Sequence, residues 1–154
     1  MIYRALVIDD EEEVRDAVVR RLNREGYEVE QASSQADGIA KIHAAEPPYD
    51  LILTDMVMED PESGVKTLEA ALSRDIFSEV IVLTAYGNVG NAVECMRRGA
   101  FDYVEKNIPG VDVYELLILK INQAMERRRM SMGAIRRYAD IARRQHIELP
   151  ATTE

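Results

Sequence analysis

The sequence predicts an α/β protein built on five parallel strands, because strand-like and helix-like patterns alternate five times along its 154 residues. The apolar runs at 5–8, 51–54 and 80–83 have the length and composition of strands that are buried on both faces. The segments between strands carry apolar residues at helical spacing. This alternation specifies right-handed crossovers, with helices on both faces of one sheet.

Local signals place the ends of several elements. Gly26 ends the first helix, and Ser34 can cap the second. The pair Pro47-Pro48 separates the second helix from the third strand. The predicted strands are 3–9, 27–30, 50–54, 80–83 and 101–104. The predicted helices are 12–25, 35–45, a segment that begins after residue 64, 88–98 and a last helix from residue 112.

Five strands at this spacing fit the flavodoxin-like (βα)5 fold, a doubly wound parallel sheet with strand order 2-1-3-4-5. The functional crevice of this fold lies at the carboxyl ends of its strands. The residues at these predicted ends are Asp9, Asp10, Asp55, Thr84 and Lys106. Three carboxylates gathered at one edge would repel one another unless a divalent cation lay among them. The sequence therefore predicts a metal site at this edge, with a hydroxyl and a lysine beside it.

Composition limits the class of protein. Hydrophobic residues make up 47% of the chain and charged residues 31%, as in a soluble globular domain. No apolar stretch approaches the roughly 18 to 20 residues that a membrane span needs. The single cysteine, Cys95, cannot form a disulfide within the chain, so we expect a reducing, cytoplasmic location.

Charge is unevenly distributed, although the net charge is −9. Residues 1–125 hold 24 acids and 12 bases, whereas residues 126–154 hold 4 acids and 7 bases. A negative body would repel phosphate, which argues against nucleic-acid binding by this part of the chain. Tyr138 is the one aromatic residue among the C-terminal arginines, so nucleic-acid binding ranks last there as well.

Four segments at strand ends form a recognisable set: Ile8-Asp9-Asp10-Glu11, Leu53-Thr54-Asp55, Leu83-Thr84-Ala85 and Tyr103-Val104-Glu105-Lys106. In these segments the chain resembles the receiver domain of two-component response regulators, and the segment 80–106 is most similar to receivers of the nitrogen-regulator type. The resemblance covers about residues 2–125. We therefore expect a receiver domain over 1–125, a helical extension over 126–148 and a frayed tail over 149–154.

The resemblance implies that Asp55 is the phosphoacceptor. It would take a phosphoryl group from a sensor histidine kinase, from a phosphotransfer protein or from a small phosphodonor. The family further implies a Mg²⁺ ion held by Asp9, Asp10, Asp55 and the backbone carbonyl of Val57. The protein would catalyse its own phosphorylation and a slow dephosphorylation, without turning over an outside substrate.

The resemblance also implies how phosphorylation would change the surface that partners bind. Lys106 and Thr84 would each contact a phosphoryl oxygen. Once Thr84 moves inward, Tyr103 would rotate and remodel the face formed by helix 4, strand 5 and helix 5. This face would then bind a partner or a second copy of the chain.

One residue departs from the family pattern beside the lysine. Asn107 stands where the family usually has a proline, which is joined to the lysine by a cis peptide bond. A cis bond without proline costs about 3 kcal/mol. We therefore predict a trans or locally strained bond between Lys106 and Asn107.

Two other interpretations stay open on the sequence alone. A flavin-binding electron carrier shares the sheet order, but the acidic run 9–13 would repel the flavin phosphate. A phosphorylation-independent interaction module could keep the fold, although Asp55, Thr84 and Lys106 are all present.

The C-terminal segment combines arginines with a weak apolar repeat. We interpret its seven arginines in 127–144 as mainly a solvated face, with docking on an acidic partner or on another protomer as the second interpretation. A repeat at 4-3 spacing predicts a homodimer or a partner helix through 112–147. Its positions are 121, 125, 128, 132, 135, 139, 142 and 146, of which Arg128 and His146 interrupt the apolar pattern.

Overall fold

The structure is a computed structural model that describes residues 1–59, 61–85 and 89–146. Its strands are β1 (Arg4–Ile8), β2 (Glu28–Ala32), β3 (Leu51–Asp55), β4 (Glu79–Thr84) and β5 (Asp102–Glu105). Its helices are α1 (Glu12–Arg24), α2 (Gln35–Ala44), α3 (Ser63–Arg74), α4 (Val89–Arg97) and α5 (Val113–Arg144). All strand pairs are parallel and the order is β2-β1-β3-β4-β5, which confirms the predicted flavodoxin-like fold.

Two hydrophobic layers cover the sheet, one on each face. In β1, Ala5 and Val7 pack against α1 and α5, whereas Leu6 and Ile8 pack toward α2, α3 and α4. All residues of the central strands β3 and β4 are buried, which explains why these strands read as continuous apolar runs. In the edge strand β2 only Ala32 is buried. None of the described helices has the length and hydrophobicity that a membrane span requires.

The second strand begins one residue later, and ends two residues later, than its alternating pattern predicted. Tyr27 belongs to the turn that ends α1, where its N–H donates to the carbonyl of Leu22 at 3.0 Å. Gly26, with φ of 91°, makes this turn possible. β2 then pairs with β1 through Ala32, opposite Ile8.

The last helix is continuous from the sheet into the C-terminal segment. Its residues Leu117, Ile121, Ala124 and Met125 are buried against the sheet. The predicted extension over 126–148 is helical through Arg144. Residues 147 and 148 and the tail predicted to fray, 149–154, lie outside the described residues.

Two arginines attach α5 to the sheet edge opposite the carboxyl ends of the strands. Arg128 is 8% exposed, and its guanidinium lies 2.8 Å from Asp50 and 3.2 Å from Asp75. Arg127 bonds Glu79 at 2.9 Å and lies over the ring of Phe101. The interpretation of the arginines as a solvated face is therefore wrong for Arg128. Its guanidinium is buried beside two carboxylates, Asp50 directly before β3 and Asp75 at the end of α3.

A glycine packs against the loop that follows β3. The N–H of Gly64 donates to the carbonyl of Met56 at 2.9 Å. A Cβ atom at Gly64 would lie 3.0 Å from Met56 Sδ and 3.1 Å from Met56 Cα. A side chain there would push on the segment next to Asp55.

We expect Gly64→Ala to lower the free energy of unfolding by about 1–3 kcal/mol, because the added methyl group overpacks this contact. Urea denaturation measures the change. Gly133→Ala is the matched control, since a Cβ there meets nothing within 4 Å. In the exposed helix it should stabilise by up to about 1 kcal/mol. Equal effects of the two substitutions would contradict the packing argument.

Candidate functional site

The carboxyl edge of the sheet brings the predicted residues together through backbone pairing. Asp9 follows β1, and its N–H donates to the carbonyl of Ala32 at 3.1 Å. Asp55 is the last residue of β3, opposite Leu83 of β4. The N–H of Lys106 donates to the carbonyl of Thr84 at 2.8 Å, which extends the pairing of β4 and β5 by one residue.

Lys106 lies at the centre of this edge. Its Nζ is 2.9 Å from Asp9 Oδ2, 3.1 Å from Asp55 Oδ2 and 2.9 Å from Glu11 Oε1. The side chains of Lys106 and Asp55 are each 8% exposed, whereas that of Glu11 is 59% exposed. One ammonium group thus contacts three carboxylates, two of them almost fully buried.

Four acids at this edge have the spacing of a cation site. Asp9, Asp10, Glu11 and Asp55 each offer an oxygen, and these oxygens lie within 4.8 Å of one another. Asp9 Oδ2 is buried and contacts Lys106 Nζ without a hydrogen bond of good geometry. Carboxylate oxygens are the ligands that Mg²⁺ prefers in proteins, so the donor set fits this ion.

Burial and charge shift the pKa values of the central groups. Burial first, and then the charge on Asp9, raise the pKa of Asp55 to about 6, while Lys106 opposes the shift. Burial likewise raises the pKa of Asp9. For Lys106, burial disfavours the ammonium form, but the hydrogen bond to Glu11 and the close carboxylates of Asp9 and Asp55 outweigh it and raise the pKa. Lys106 therefore stays charged at neutral pH, where most Asp55 is ionised.

A cavity of about 260 Å³ opens beside these groups. It is lined by Asp10, Glu11, Asp55, Met56, Val57, Ala85 and Lys106. Val57 is 39% exposed, and Ala85 is also exposed, so neither side chain closes the approach to Asp55. The space is of a size for a phosphoryl group and a few waters.

The two predicted switch residues lie on adjacent strands. Thr84 is fully buried, and its hydroxyl donates to the carbonyl of Ala85 at 3.3 Å. Tyr103 is partly buried against the hydrophobic layer that contains Val82 and Ala92. It therefore lies on the side of the sheet covered by α4.

Sequence reasoning missed two contacts of this region. Glu11 was noted only as part of the matching segment at the end of β1, yet it binds Lys106. Glu59 stands in the loop after Asp55, and its carboxylate accepts the N–H of Gln35 at 3.0 Å, at the start of α2. The position of Glu11 directly after the paired aspartates could have indicated its contact with Lys106. No local pattern predicts the contact of Glu59, because its partner Gln35 is 24 residues away.

The peptide bond after Lys106 is trans, as predicted. Among the described residues the cis bond lies elsewhere, at Glu46–Pro47. Lys106 thus reaches Asp9 and Asp55 without the cis proline that the family usually has at the next position.

Fold and site together define a class: a flavodoxin-like α/β protein whose carboxyl edge carries clustered acids and a charged lysine. Residues 5–118 match the response regulator receiver domain, which is more than half of the chain. The chain belongs to this family. Receiver domains of response regulators are signalling switches that interact with histidine kinases, and the flavin-carrier interpretation is set aside.

Known relatives agree with this assignment. The acid tolerance regulatory protein ActR of Rhizobium meliloti (strain 1021) is 33% identical over 143 residues, which cover 93% of this chain and 70% of ActR. A response regulator receiver domain protein from Clostridium thermocellum has a TM-score of 0.74 at 30% identity, over 84% of this chain and 98% of that one. NtrX from Brucella abortus has a TM-score of 0.76 at 27% identity, over 99% of this chain and 32% of NtrX. The similarities are consistent with a nitrogen-regulator-like receiver.

Proposed function

We propose that this chain is a phosphorylation switch in which Asp55 accepts a phosphoryl group from a histidine kinase or a phosphotransfer protein. The observation that carries the proposal is the contact of Lys106 Nζ with both Asp55 and Asp9, next to an open cavity. An ionised carboxylate supplies a nucleophile, and the ammonium group supplies a fixed positive charge where phosphoryl oxygens would arrive.

In the proposed reaction, an Asp55 oxygen attacks the phosphorus of a phosphohistidine or of a small acyl phosphate. The new O–P bond forms as the donor's bond to phosphorus breaks, and the electron pair of that bond stays on the donor. Lys106 then pairs with one phosphoryl oxygen as a compact point charge, and Thr84 donates its hydroxyl to another. The protein would turn over no outside substrate beyond its own phosphorylation and slow dephosphorylation.

The acids at the edge would hold Mg²⁺ through Asp9, Asp10 and Asp55, with the backbone carbonyl of Val57. When bound, the ion would supply positive charge that offsets the negative charge of the transferred group. Asp9 already accepts the Glu11 N–H through its other oxygen at 2.9 Å, so its carboxylate is fixed before an ion arrives.

The proposed output is a change at the face of α4, β5 and α5. Movement of Thr84 toward the phosphoryl group would free space for Tyr103, which lies under α4. Exposed apolar side chains on this face, Val93, Met96 and Val111, are available to a partner or to a second copy. The solved receiver dimer of beryllofluoride-activated NtrC4, 30% identical to this chain, is an example from the same family. We also propose a cytoplasmic location, in keeping with the buried, unpaired Cys95.

Incubation with an acyl phosphate tests the proposal. With millimolar Mg²⁺, intact mass should rise by one phosphoryl group, and excess EDTA should abolish this gain. Borohydride reduces an aspartyl phosphate to homoserine, so peptide mapping should find homoserine at position 55. Homoserine in place of an acid other than Asp55, or a mass gain that persists in excess EDTA, would refute the assigned site. No mass gain from either an acyl phosphate or a phosphorylated kinase would favour the alternative, a phosphorylation-independent interaction module.

A further inference from the structure

The C-terminal arm, residues 129–144 of α5, extends beyond the last ion pair with the body. At 1.5 Å per residue it is about 24 Å long. Its exposed large apolar side chains are Met130, Tyr138, Ile135 and Ile141, at 67%, 53%, 48% and 45%. At 100° per residue Met130, Tyr138 and Ile141 lie within an arc of about 80° and form an apolar stripe, and Ile135 lies about 60° beyond Tyr138. Of these four residues, Ile135 alone belongs to the predicted 4-3 repeat, whose Ala142 is buried.

Unpaired arginines flank this stripe. Arg137 and Arg144 lie about 20–40° to one side of Met130 by the same helical geometry. Neither has an ion pair with any residue that the structure describes. By contrast, Arg129 pairs with Glu126 and Arg143 pairs with Asp140, on the far face of the arm.

A groove on the body has the complementary chemistry. Between α1 and α5 lies a cavity of about 240 Å³ whose apolar lining includes Val14, Val18, Val113 and Leu117. Glu13 also lines it. On the outer surface of α1, Glu12, Glu13 and Asp16 are exposed and lack an ion pair within the described part of the chain. The one cation at the cavity, Lys106, is already surrounded by three acids.

The arm cannot reach this groove in its own chain. α5 is one continuous helix to Arg144, and its last ion pairs with the body, those of Arg128, lie beside the residues that precede β3 and β4. The acidic start of α1 lies at the opposite edge, after β1. A continuous helix does not reverse its direction, so a groove occupied by the arm belongs to another molecule.

We propose that the arm docks in the α1–α5 groove of a second copy of this chain. Tyr138 and Ile141 would face the cavity, and Arg137 and Arg144 would face the acids of α1. The 13 residues of α1 span about 20 Å, close to the length of the arm. Exchange of two arms gives a closed, two-fold pair. The charges favour this over pairing of arm with arm, which would bring arginines of both copies together.

Charge reversal tests the proposal without a phosphodonor, so its result is independent of the proposed phosphorylation. By analytical ultracentrifugation, Arg137→Glu with Arg144→Glu should weaken self-association at least about tenfold. The control with equal charge change, Arg129→Glu with Arg136→Glu, alters the far face and should have a much smaller effect. Mixing the first variant with Glu13→Arg, Asp16→Arg protein should restore association. Equal effects of both arm variants, or a monomer at all concentrations, would overturn the proposal.

Cysteine crosslinking distinguishes docking of the arm in the α1–α5 groove from pairing of one arm with another. A mixture of Tyr138→Cys and Glu13→Cys proteins should form a disulfide between the two variants under mild oxidation. The native Cys95 does not interfere, because it is fully buried and burial raises its pKa to about 11. Preferential linking of Tyr138→Cys to itself would place the arms against each other and refute docking in the groove.

Discussion

Replacing Lys106 with methionine is expected to slow phosphorylation of Asp55 by about 10²–10³-fold, since one preorganised charge is removed from the reacting centre. Methionine keeps much of the side-chain length but has no charge. Loss of the ammonium group also removes an interaction that lowers the pKa of Asp55. A larger share of Asp55 would then be protonated near pH 7 and unable to attack phosphorus.

The same substitution should leave Mg²⁺ binding intact or make it tighter. Without Lys106, Asp9 and Asp55 repel each other with no nearby ammonium group, so a cation gains more by binding. Thermal unfolding with and without Mg²⁺ should therefore show a larger stabilisation by the ion in Lys106→Met than in the wild-type protein.

The matched control is Lys41→Met. Lys41 pairs with Asp37 on the surface of α2 at 3.3 Å, away from the site, so its loss should leave the phosphorylation rate unchanged. Asp55→Asn gives the baseline without a phosphoacceptor, and intact mass against time measures each rate. Wild-type kinetics in Lys106→Met, or a complete loss of stabilisation by Mg²⁺, would show that the lysine does not have the proposed role.

The sheet and the edge that carries the site were predictable because both depend on short-range patterns. Buried central strands require consecutive apolar residues, so the runs at 51–54 and 80–83 are visible without a structure. Strand order then places the residue after each run at one edge. For this reason the sequence alone predicted that Asp9, Asp55 and Lys106 lie together. In the structure, one carboxylate oxygen of Asp9 and one of Asp55 lie within 3.1 Å of Lys106 Nζ.

Long-range polar contacts were not predictable. Arg128 breaks a heptad-like repeat and reads as a surface residue, yet it pairs with Asp50 and Asp75, which are 78 and 53 residues away. Glu59 likewise binds the start of α2 across 24 residues. Hydropathy reports which face of a helix is apolar, but it does not report which buried carboxylate needs a cation. Contacts of this kind depend on where the helix ends lie in space.

Arg128→Ala is expected to destabilise the protein by about 3 kcal/mol, the cost of removing one partner from a largely buried ion pair. Asp50 also accepts the N–H of Arg4, and Asp75 accepts the N–H of Phe77, so both carboxylates are held in place and cannot turn to solvent. For a chain of this length, a loss of that size should lower the melting temperature by roughly 6–12 °C. Urea denaturation followed by circular dichroism measures the free energy directly.

Arg136→Ala is the matched control, because Arg136 is exposed on the same helix and should change stability by less than about 0.5 kcal/mol. Adding Asp75→Asn to Arg128→Ala should recover part of the loss, since the amide removes one uncompensated charge. The resulting double-mutant cycle should show a coupling energy above about 0.5 kcal/mol. If Arg128→Ala were as mild as Arg136→Ala, or if the two sites showed no coupling, α5 would be held by its apolar face alone. The arm would then depend on Leu117, Ile121 and Met125 for its attachment to the body.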